Sequence, residues 1–111
     1  MSLLAKKFKR EHFPVPEAEG LFVRPLKNSE NRRGAALADD ADKVWFTIGI
    51  VLTDSEGSPL FAKSVEETDQ QFADRVRTEL DEADFDGLMF LKVCNAIGNI
   101  QRYNPDTIRK N

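Results

Sequence analysis

The most apolar stretch of the chain runs from residue 44 to residue 53, VWFTIGIVLT, and contains no charged side chain. Its hydrophobic positions fit two periods. If a helix begins near residue 29 and continues through this stretch, steps of three and four place one apolar stripe on its surface, formed by Leu37, Ala41, Val44, Trp45, Ile48 and Leu52. Alternation also fits a strand, because Val, Ile, Thr, Phe and Trp favour extended backbone. The pattern therefore leaves helix and strand open at 44–53.

The segment before this stretch predicts a β-hairpin. Residues 12–26, HFPVPEAEGLFVRPL, alternate apolar and polar positions around a Glu-Ala-Glu-Gly turn. Proline lacks the N–H that a central strand must donate, so the prolines at 14, 16 and 25 predict strands at the edge of a sheet. Gly20 supplies the turn. We therefore expect a small edge hairpin near the N-terminus.

A helix start and a turn flank the ambiguous stretch. Asn28 or Ser29 can cap a helix, and the residues that follow, ENRRGAALADDADKV, favour helix and contain no proline. On the other side, DSEG predicts a turn, because Asp54 can accept hydrogen bonds from the backbone ahead of it and Gly57 can adopt a positive φ.

Two further helices are predicted in the second half of the chain. Ser64 and Glu67 form a Ser-x-x-Glu capping box. The helix that follows has an apolar side with helical spacing, made of Val65, Phe72, Val76 and Leu80. The last helix begins at Asp84 or Asp86 and is stopped by the Asn-Pro pair at 104–105. Its apolar side consists of Phe85, Met89, Val93, Ala96 and Ile100.

These patterns predict a mainly α fold with a small N-terminal β-hairpin (α+β). The alternative is an α+β fold in which residues 44–53 form a strand. At 111 residues, the chain has a common size for one domain, and two domains would each bury too little surface. We therefore expect a single domain over residues 1–111, with residues 105–111 as a flexible tail.

Composition and charge narrow the classes of function. An apolar share of 41% and a charged share of 32% are typical of a soluble protein. The start of the chain lacks the apolar core of a secretory signal, so a cytoplasmic protein is expected. The net charge is −3, but residues 54–86 carry eleven Asp or Glu against three Lys or Arg. This acidic middle, with basic ends, is either a solvated face or a docking surface for a basic partner.

Few residues offer catalytic or ligand chemistry. Cys94 lies within FLKVCNAI and is expected to be a small buried hydrophobe rather than a reactive thiol. His12 is the one histidine, which leaves no second imidazole for a metal site or a relay. A calcium loop starting at Glu82 would have Val93 where a carboxylate is required. We therefore predict no enzyme activity and no catalytic, metal-binding or cofactor-binding residue.

A basic segment supports an alternative function. The run KKFKR places Lys6, Lys7, Lys9 and Arg10 around Phe8, and such a pattern can contact phosphates and stack a base. The alternative is therefore a small nucleic-acid-binding accessory protein. The net negative charge of the chain disfavours it.

Apolar residues outside the predicted stripes indicate a protein interface. In a helix spanning 29–53, Phe46 and Ile50 point away from the main stripe, and Leu88 and Leu91 do the same in the last helix. A chain of this size cannot cover every such face internally, and uncovered apolar patches mark interfaces. We therefore expect these four residues to bind a partner, which is either another protein or a second copy of the chain.

The order of these features is similar to that of a known family. The start MSLL, the segment VPEAEGLFVRPL, the charged helix leading to LTDSEGSPLF and the segment SVEETD together resemble the tail assembly chaperones of long-tailed bacteriophages and prophages. The resemblance covers roughly residues 1–80. It implies that the apolar stretch is helical and that Asp54, Gly57, Leu60 and Phe61 form a turn. It also implies a non-enzymatic protein that binds the tape-measure protein and helps to recruit tail-tube subunits in the bacterial host cell.

Overall fold

The computed structural model describes residues 12–101 of the chain. In this part the fold is mainly helical with a small antiparallel sheet, which confirms the predicted α+β class. The elements follow in the order β1 (Phe13–Pro14), β2 (Phe22–Val23), α1 (Asn28–Ala35), α2 (Asp40–Val51), β3 (Leu52–Thr53), α3 (Asp69–Glu82) and α4 (Gly87–Gln101). The predicted tail at 105–111 lies outside the described residues.

The sheet has the strand order β1-β2-β3 and is antiparallel throughout. The predicted hairpin is confirmed, since Phe13 pairs with Val23 and Gly20 adopts a φ of 85° in the turn. Pro14 lies in the outer strand, where proline is tolerated. The prediction that both strands lie at an edge is wrong for β2, because Val23 also pairs with Leu52 of β3.

The apolar stretch at 44–53 is helical up to Val51 and extended only at its last two residues. Leu52 has a ψ of 128° and so leaves the helix to pair with the sheet. The strand interpretation is therefore wrong for 44–51 and right for 52–53. A helix suits this stretch because α1 and α3 both pack against it, so that apolar residues on more than one side find a partner.

α1 and α2 are separate helices, and the prediction of one helix from residue 29 to residue 53 is wrong. α1 ends at Ala35, and Asp39 starts α2 by accepting a 2.8 Å hydrogen bond from the backbone N–H of Ala41. Aspartate favours a helix start over a helix interior, because its side chain competes for the N–H groups ahead of it. The break allows α1 to turn back and pack on α2.

α3 begins with a capping box, but not with the one that the sequence predicts. Its box consists of Thr68 and Gln71, in which the Gln71 N–H donates to Thr68 Oγ1 at 3.1 Å and the Gln71 side chain accepts from the Thr68 N–H at 2.9 Å. The predicted start at Ser64 is wrong: Ser64 and Glu67 form a turn, and Val65 is fully exposed. The other predicted apolar positions of this helix are buried or half-buried: Phe72, Val76 and Leu80.

The core lies where α2 crosses α3. Phe46 and Phe72 meet edge to face there, with ring centroids 5.9 Å apart. Gly49 of α2 has no side chain, and Val76 and Phe72 of α3 occupy the space beside it. The largest fully buried side chains include residues of both helices, of β2, of β3 and of α4: Val23, Phe46, Ile48, Val51, Leu52, Phe72, Val76 and Val93.

A tight connection joins α3 to α4. The Phe85 N–H donates to the Leu80 carbonyl at 3.0 Å and Asp84 adopts a φ of 60°, in the Schellman arrangement that ends many helices. Asp86 starts α4 by accepting a 2.9 Å hydrogen bond from the Met89 N–H. The predicted apolar side of α4 packs on the core, which confirms the assignment of Phe85, Met89, Val93, Ala96 and Ile100. The predicted end of this helix lies beyond the part of the chain that is described.

Candidate binding surface

The four residues predicted to bind a partner divide into two pairs. Phe46 is fully buried and Ile50 is half-buried against the core, whereas Leu88 and Leu91 are 62% and 58% exposed. A side chain without accessible surface cannot contact a partner in this fold, so the assignment of Phe46 is wrong. Ile50 offers little surface. Leu88 and Leu91 have the exposure that an interface requires, and their binding stays a prediction.

Phe46 is buried because α1 covers the side of α2 that one long helix would have left open. A Cβ atom at Gly34 of α1 would lie 3.0 Å from Phe46 Cδ2, and the guanidinium carbon of Arg33 lies 5.6 Å from the ring centroid. The aspartate pair at 39–40 is the signal in the sequence that could have revealed the reversal, since it marks a helix start.

The exposed side of α4 forms a single strip, which we call the leucine face. It consists of Leu88, Leu91, Asn95, Gly98 and Asn99, all exposed. At about 100° per residue, these five positions span about 100° of the helix circumference. The end of the strip nearest α3 is apolar. The remainder has two small polar side chains, of Asn95 and Asn99, and no side chain at Gly98.

An aromatic contact fixes α4 beside α2. The rings of Trp45 and Phe90 lie 5.3 Å apart between centroids, and both side chains are half-buried against the core. Leu91 follows Phe90 directly in the helix, so its backbone lies next to the aromatic contact while its side chain is exposed. The leucine face is therefore presented on a helix that is held at its N-terminal half.

Carboxylates precede the leucine face. Asp81, Glu82, Asp84 and Asp86 are all exposed, and none of them forms an ion pair with a residue between 12 and 101. The last turn of α3 contains no basic residue. We call these four residues the acidic connection. It borders the apolar end of the leucine face, because α4 begins at Gly87.

Carboxylates at the other end of α3 are held by arginines. Arg33 Nη2 lies 2.7 Å from Asp69 Oδ1, and this hydrogen bond holds the pKa of Asp69 below its usual value. Arg75 Nε lies 2.8 Å from Glu67 Oε2 and lowers the pKa of Glu67 in the same way. These carboxylates form ion pairs within the fold, in contrast to those of the acidic connection, of which only Asp86 has a role in the fold, as the cap of α4.

A charged pair between β2 and α1 is also structural. Arg24 donates from both of its terminal nitrogens to the two carboxylate oxygens of Glu30, at 2.9 and 2.8 Å. Glu30 also accepts a 2.8 Å hydrogen bond from the Lys27 N–H at the start of α1. The bidentate geometry suits a pair that is largely shielded from water.

The side chains with reactive potential are dispersed. Within residues 12–101, no group of three or more His, Cys, Asp or Glu side chains could hold a metal ion. Cys94 is half-buried rather than fully buried, and burial raises the pKa of its thiol. His12 donates from Nε2 to the Ser55 carbonyl at 2.8 Å and so joins the hairpin to the predicted turn at 54–57. The basic residues of the nucleic-acid alternative lie outside the described residues: Lys6, Lys7, Lys9 and Arg10.

The sequence has no match among known families and structures. No protein-family model matches it, and no curated protein or solved structure does so. None of the described helices is long and apolar enough to cross a membrane. The resemblance to phage tail assembly chaperones therefore stays a prediction.

Proposed function

We propose that this chain is a non-enzymatic tail assembly chaperone of a bacteriophage or prophage, acting in the cytoplasm of the bacterial host cell. Its clients are the tape-measure protein, which it keeps soluble, and the tail-tube subunits, which it helps to recruit. The leucine face contacts the client. The observation that carries this proposal is the exposure of Leu88 and Leu91 on one side of a packed helix, and the resemblance over residues 1–80 supplies the family.

Two exposed leucines within one helical turn provide a useful binding energy. Full burial of a leucine side chain contributes about 1.5–3 kcal/mol. Leu88 and Leu91 keep more than half of their surface exposed, so covering both supplies roughly 2–4 kcal/mol before the cost of association. A contact of this size needs further contacts beside it, and it stays reversible. Reversibility suits a chaperone that tail-tube subunits must later replace.

The support beneath the leucine face favours binding. Trp45 of α2 contacts Phe90 of α4, so the helix that carries the exposed leucines is packed on the core before the client arrives. Preorganisation reduces the entropy that is lost on association. The remaining positions of the leucine face, Asn95, Gly98 and Asn99, are small enough to let a client chain approach the helix closely.

The proposal predicts that a gene for a tape-measure protein lies beside the gene for this chain, and coexpression of the two proteins tests it. We expect the tape-measure protein to be largely insoluble alone, and to be soluble and co-purified when the wild-type chain is present. Leu91→Asp should abolish both effects, because a carboxylate in the interface would be desolvated without a partner. Val65→Asp is the matched control, since it places the same charge at a fully exposed apolar residue outside α4.

Two results would count against the proposal at different levels. Equal client binding by Leu91→Asp and Val65→Asp, with circular dichroism showing both variants folded, would remove the leucine face from the interface. A tape-measure protein that stays insoluble with the wild-type chain would remove the chaperone function itself.

A further inference from the structure

Three carboxylates of the acidic connection, Asp81, Glu82 and Asp84, are placed where they do not stabilise the end of α3, whereas the fourth, Asp86, caps α4. Asp81 and Glu82 occupy the last turn of α3, where the unpaired carbonyl groups already carry partial negative charge. Asp84 adopts a φ of 60°, a conformation that glycine adopts with less strain. No lysine or arginine in the described part of the chain forms an ion pair with any of the three. Local stability therefore does not account for these carboxylates.

Only a short connection separates the carboxylates from the exposed leucines. The hydrogen bond from Phe85 to Leu80 closes this connection tightly, so the chain passes from Glu82, the last residue of α3, to Gly87, the first residue of α4, within five residues. Lys92 is the one cation between residues 87 and 101, and it lies 3.6 Å from Glu17, which compensates its charge. The apolar end of the leucine face therefore follows carboxylates that form no ion pair with a residue between 12 and 101.

The remainder of the leucine face is open to a second helix. A Cβ atom added at Gly98 would meet no atom of residues 12–101 within 4 Å, and Asn95 and Asn99 are exposed beside it. Small side chains along a helix let another helix pack at close range, with its own apolar residues between the leucines. The strip thus has the width and the length of a helix contact.

We propose that the leucine face and the acidic connection together bind a positively charged amphipathic helix of the client. Its apolar residues, spaced by three and four, pack on Leu88 and Leu91, and its lysines or arginines contact Asp81, Glu82 and Asp84. The charges set the orientation of the bound helix and increase its rate of association. This inference rests on the proposed function in one respect, namely that the leucine face contacts the client.

Two synthetic peptides with the same helical apolar spacing test the charge preference. One carries lysines beside its apolar stripe, and the other carries glutamates at the same positions. We expect the full chain to bind the lysine peptide about tenfold more tightly than the glutamate peptide at low salt, as measured by fluorescence anisotropy. The ratio should fall as salt is added, since exposed charges are screened.

Neutralising the acidic connection should remove the preference. The double variant Asp81→Asn with Glu82→Gln is expected to bind the lysine peptide several-fold more weakly and the glutamate peptide no more weakly than the wild-type chain. The control is Glu56→Gln with Glu66→Gln, which removes the same charge at exposed positions away from this end of α3 and should leave both affinities unchanged. In contrast, Leu91→Ser should weaken the binding of both peptides.

The outcomes separate this inference from the proposed function. Equal affinity for the two peptides, or equal losses in the acidic variant and its control, would overturn the inference. If the tape-measure protein still requires Leu91 in that case, the proposed function stands without it. A chain that prefers the lysine peptide but does not bind the tape-measure protein would uphold the inference about charge and remove the proposed client.

Two other occupants of the surface are also tested. A concentration-dependent dimer in sedimentation experiments that Leu91→Ser dissociates would show that a second copy covers the leucine face, and would overturn the inference. The basic residues of the run KKFKR at 6–10 are Lys6, Lys7, Lys9 and Arg10. Replacing all four by serine in the full chain should leave the affinity for the lysine peptide unchanged. A several-fold gain in affinity would show that this chain's own segment competes for the surface, with the same consequence.

Discussion

Two glycines in helices show that the surroundings of a residue decide its role. A Cβ atom at Gly49 of α2 would overlap the side chain of Val76 and lie 2.7 Å from Phe72 Cε2. The same atom at Gly98 of α4 would meet no atom of the described part of the chain within 4 Å. Gly49 therefore allows α2 and α3 to approach, whereas Gly98 has no such role within the described fold and lowers the stability of its own helix.

Alanine at these two positions should have opposite effects. Gly49→Ala is expected to lower the free energy of unfolding by about 1–3 kcal/mol, because overpacking outweighs the better helix propensity of alanine. Gly98→Ala should raise it by about 0.5–1 kcal/mol. Urea unfolding followed by circular dichroism measures both. Stabilisation of the same size by both substitutions would contradict the close packing of α2 on α3.

The backbone at Asp84 predicts a gain in stability with a loss of binding. Asp84→Gly should raise the free energy of unfolding by about 1 kcal/mol, because the residue has a φ of 60° and glycine adopts it without strain from a Cβ atom. The same substitution should weaken binding of the lysine peptide. Asp84→Ala removes the charge but keeps the Cβ atom, so a stabilisation equal to that of glycine would assign the effect to charge alone.

At the scale of elements, the sequence predicts the types of structure better than their boundaries. The hairpin, α3 and α4 follow from local patterns that tertiary packing reinforces. Residues 44–53 were ambiguous, because a stretch that is apolar on every side fits both periods. The two errors in helix starts both concern capping residues. The start at Asp39 was missed, because Asp39 begins a new helix inside a helical pattern. The start of α3 was placed too early, because Thr68 caps the helix and Ser64 does not.

The candidate site was partly predictable for a related reason. Leu88 and Leu91 are exposed because they fall off the apolar stripe of their own helix, and this property can be read from spacing alone. Phe46 falls off a stripe in the same way, but α1 covers it after the chain reverses. The covering of one helix by another depends on the turn between them, and the periodicity of a single helix carries no information about it.

The ion pairs of α3 predict a specific response to acid. Arg75 binds Glu67 and also donates to the Ala62 carbonyl at 2.8 Å, which ties residues 62–67 to the helix. Because Arg75 holds the pKa of Glu67 below its usual value, the pair contributes stability that is present above the unfolded pKa, about 4. That contribution is lost as the pH falls through the lower folded pKa.

As the pH falls below about 4, the free energy of unfolding should therefore decrease less in Glu67→Gln than in the wild-type chain. Urea midpoints measured over a series of pH values provide the test. Glu66→Gln is the control, since Glu66 is exposed and forms no ion pair with a residue in the described range. An unchanged pH profile in Glu67→Gln would show that other carboxylates determine the acid limb.

At the scale of the whole molecule, apolar residues are divided between a shared core and one open helix side. α1 and α3 cover α2, and α4 contributes one side to the core while its leucine face stays exposed. Exposed large apolar side chains elsewhere in the described chain lie singly on other elements or loops: Phe13, Val44, Leu60 and Val65. Of the four residues predicted to bind a partner, the two exposed ones, Leu88 and Leu91, both lie on α4, and those on α2 are buried or half-buried.

This division predicts that stability and binding can be changed separately. Phe46→Ala removes a fully buried ring and should lower the free energy of unfolding by about 3–5 kcal/mol, a large part of what a domain of this size has. Leu91→Ala should change it by no more than about 0.5 kcal/mol, because the side chain is mostly exposed. Below its lowered melting temperature, Phe46→Ala should still bind the client like the wild-type chain, whereas Leu91→Ala should be folded and deficient in binding. Thermal unfolding followed by circular dichroism measures stability, and client co-purification at the same temperature measures binding. A Phe46→Ala variant that is folded but deficient in binding would return Phe46 to the interface, because only a rearranged α1 could expose it.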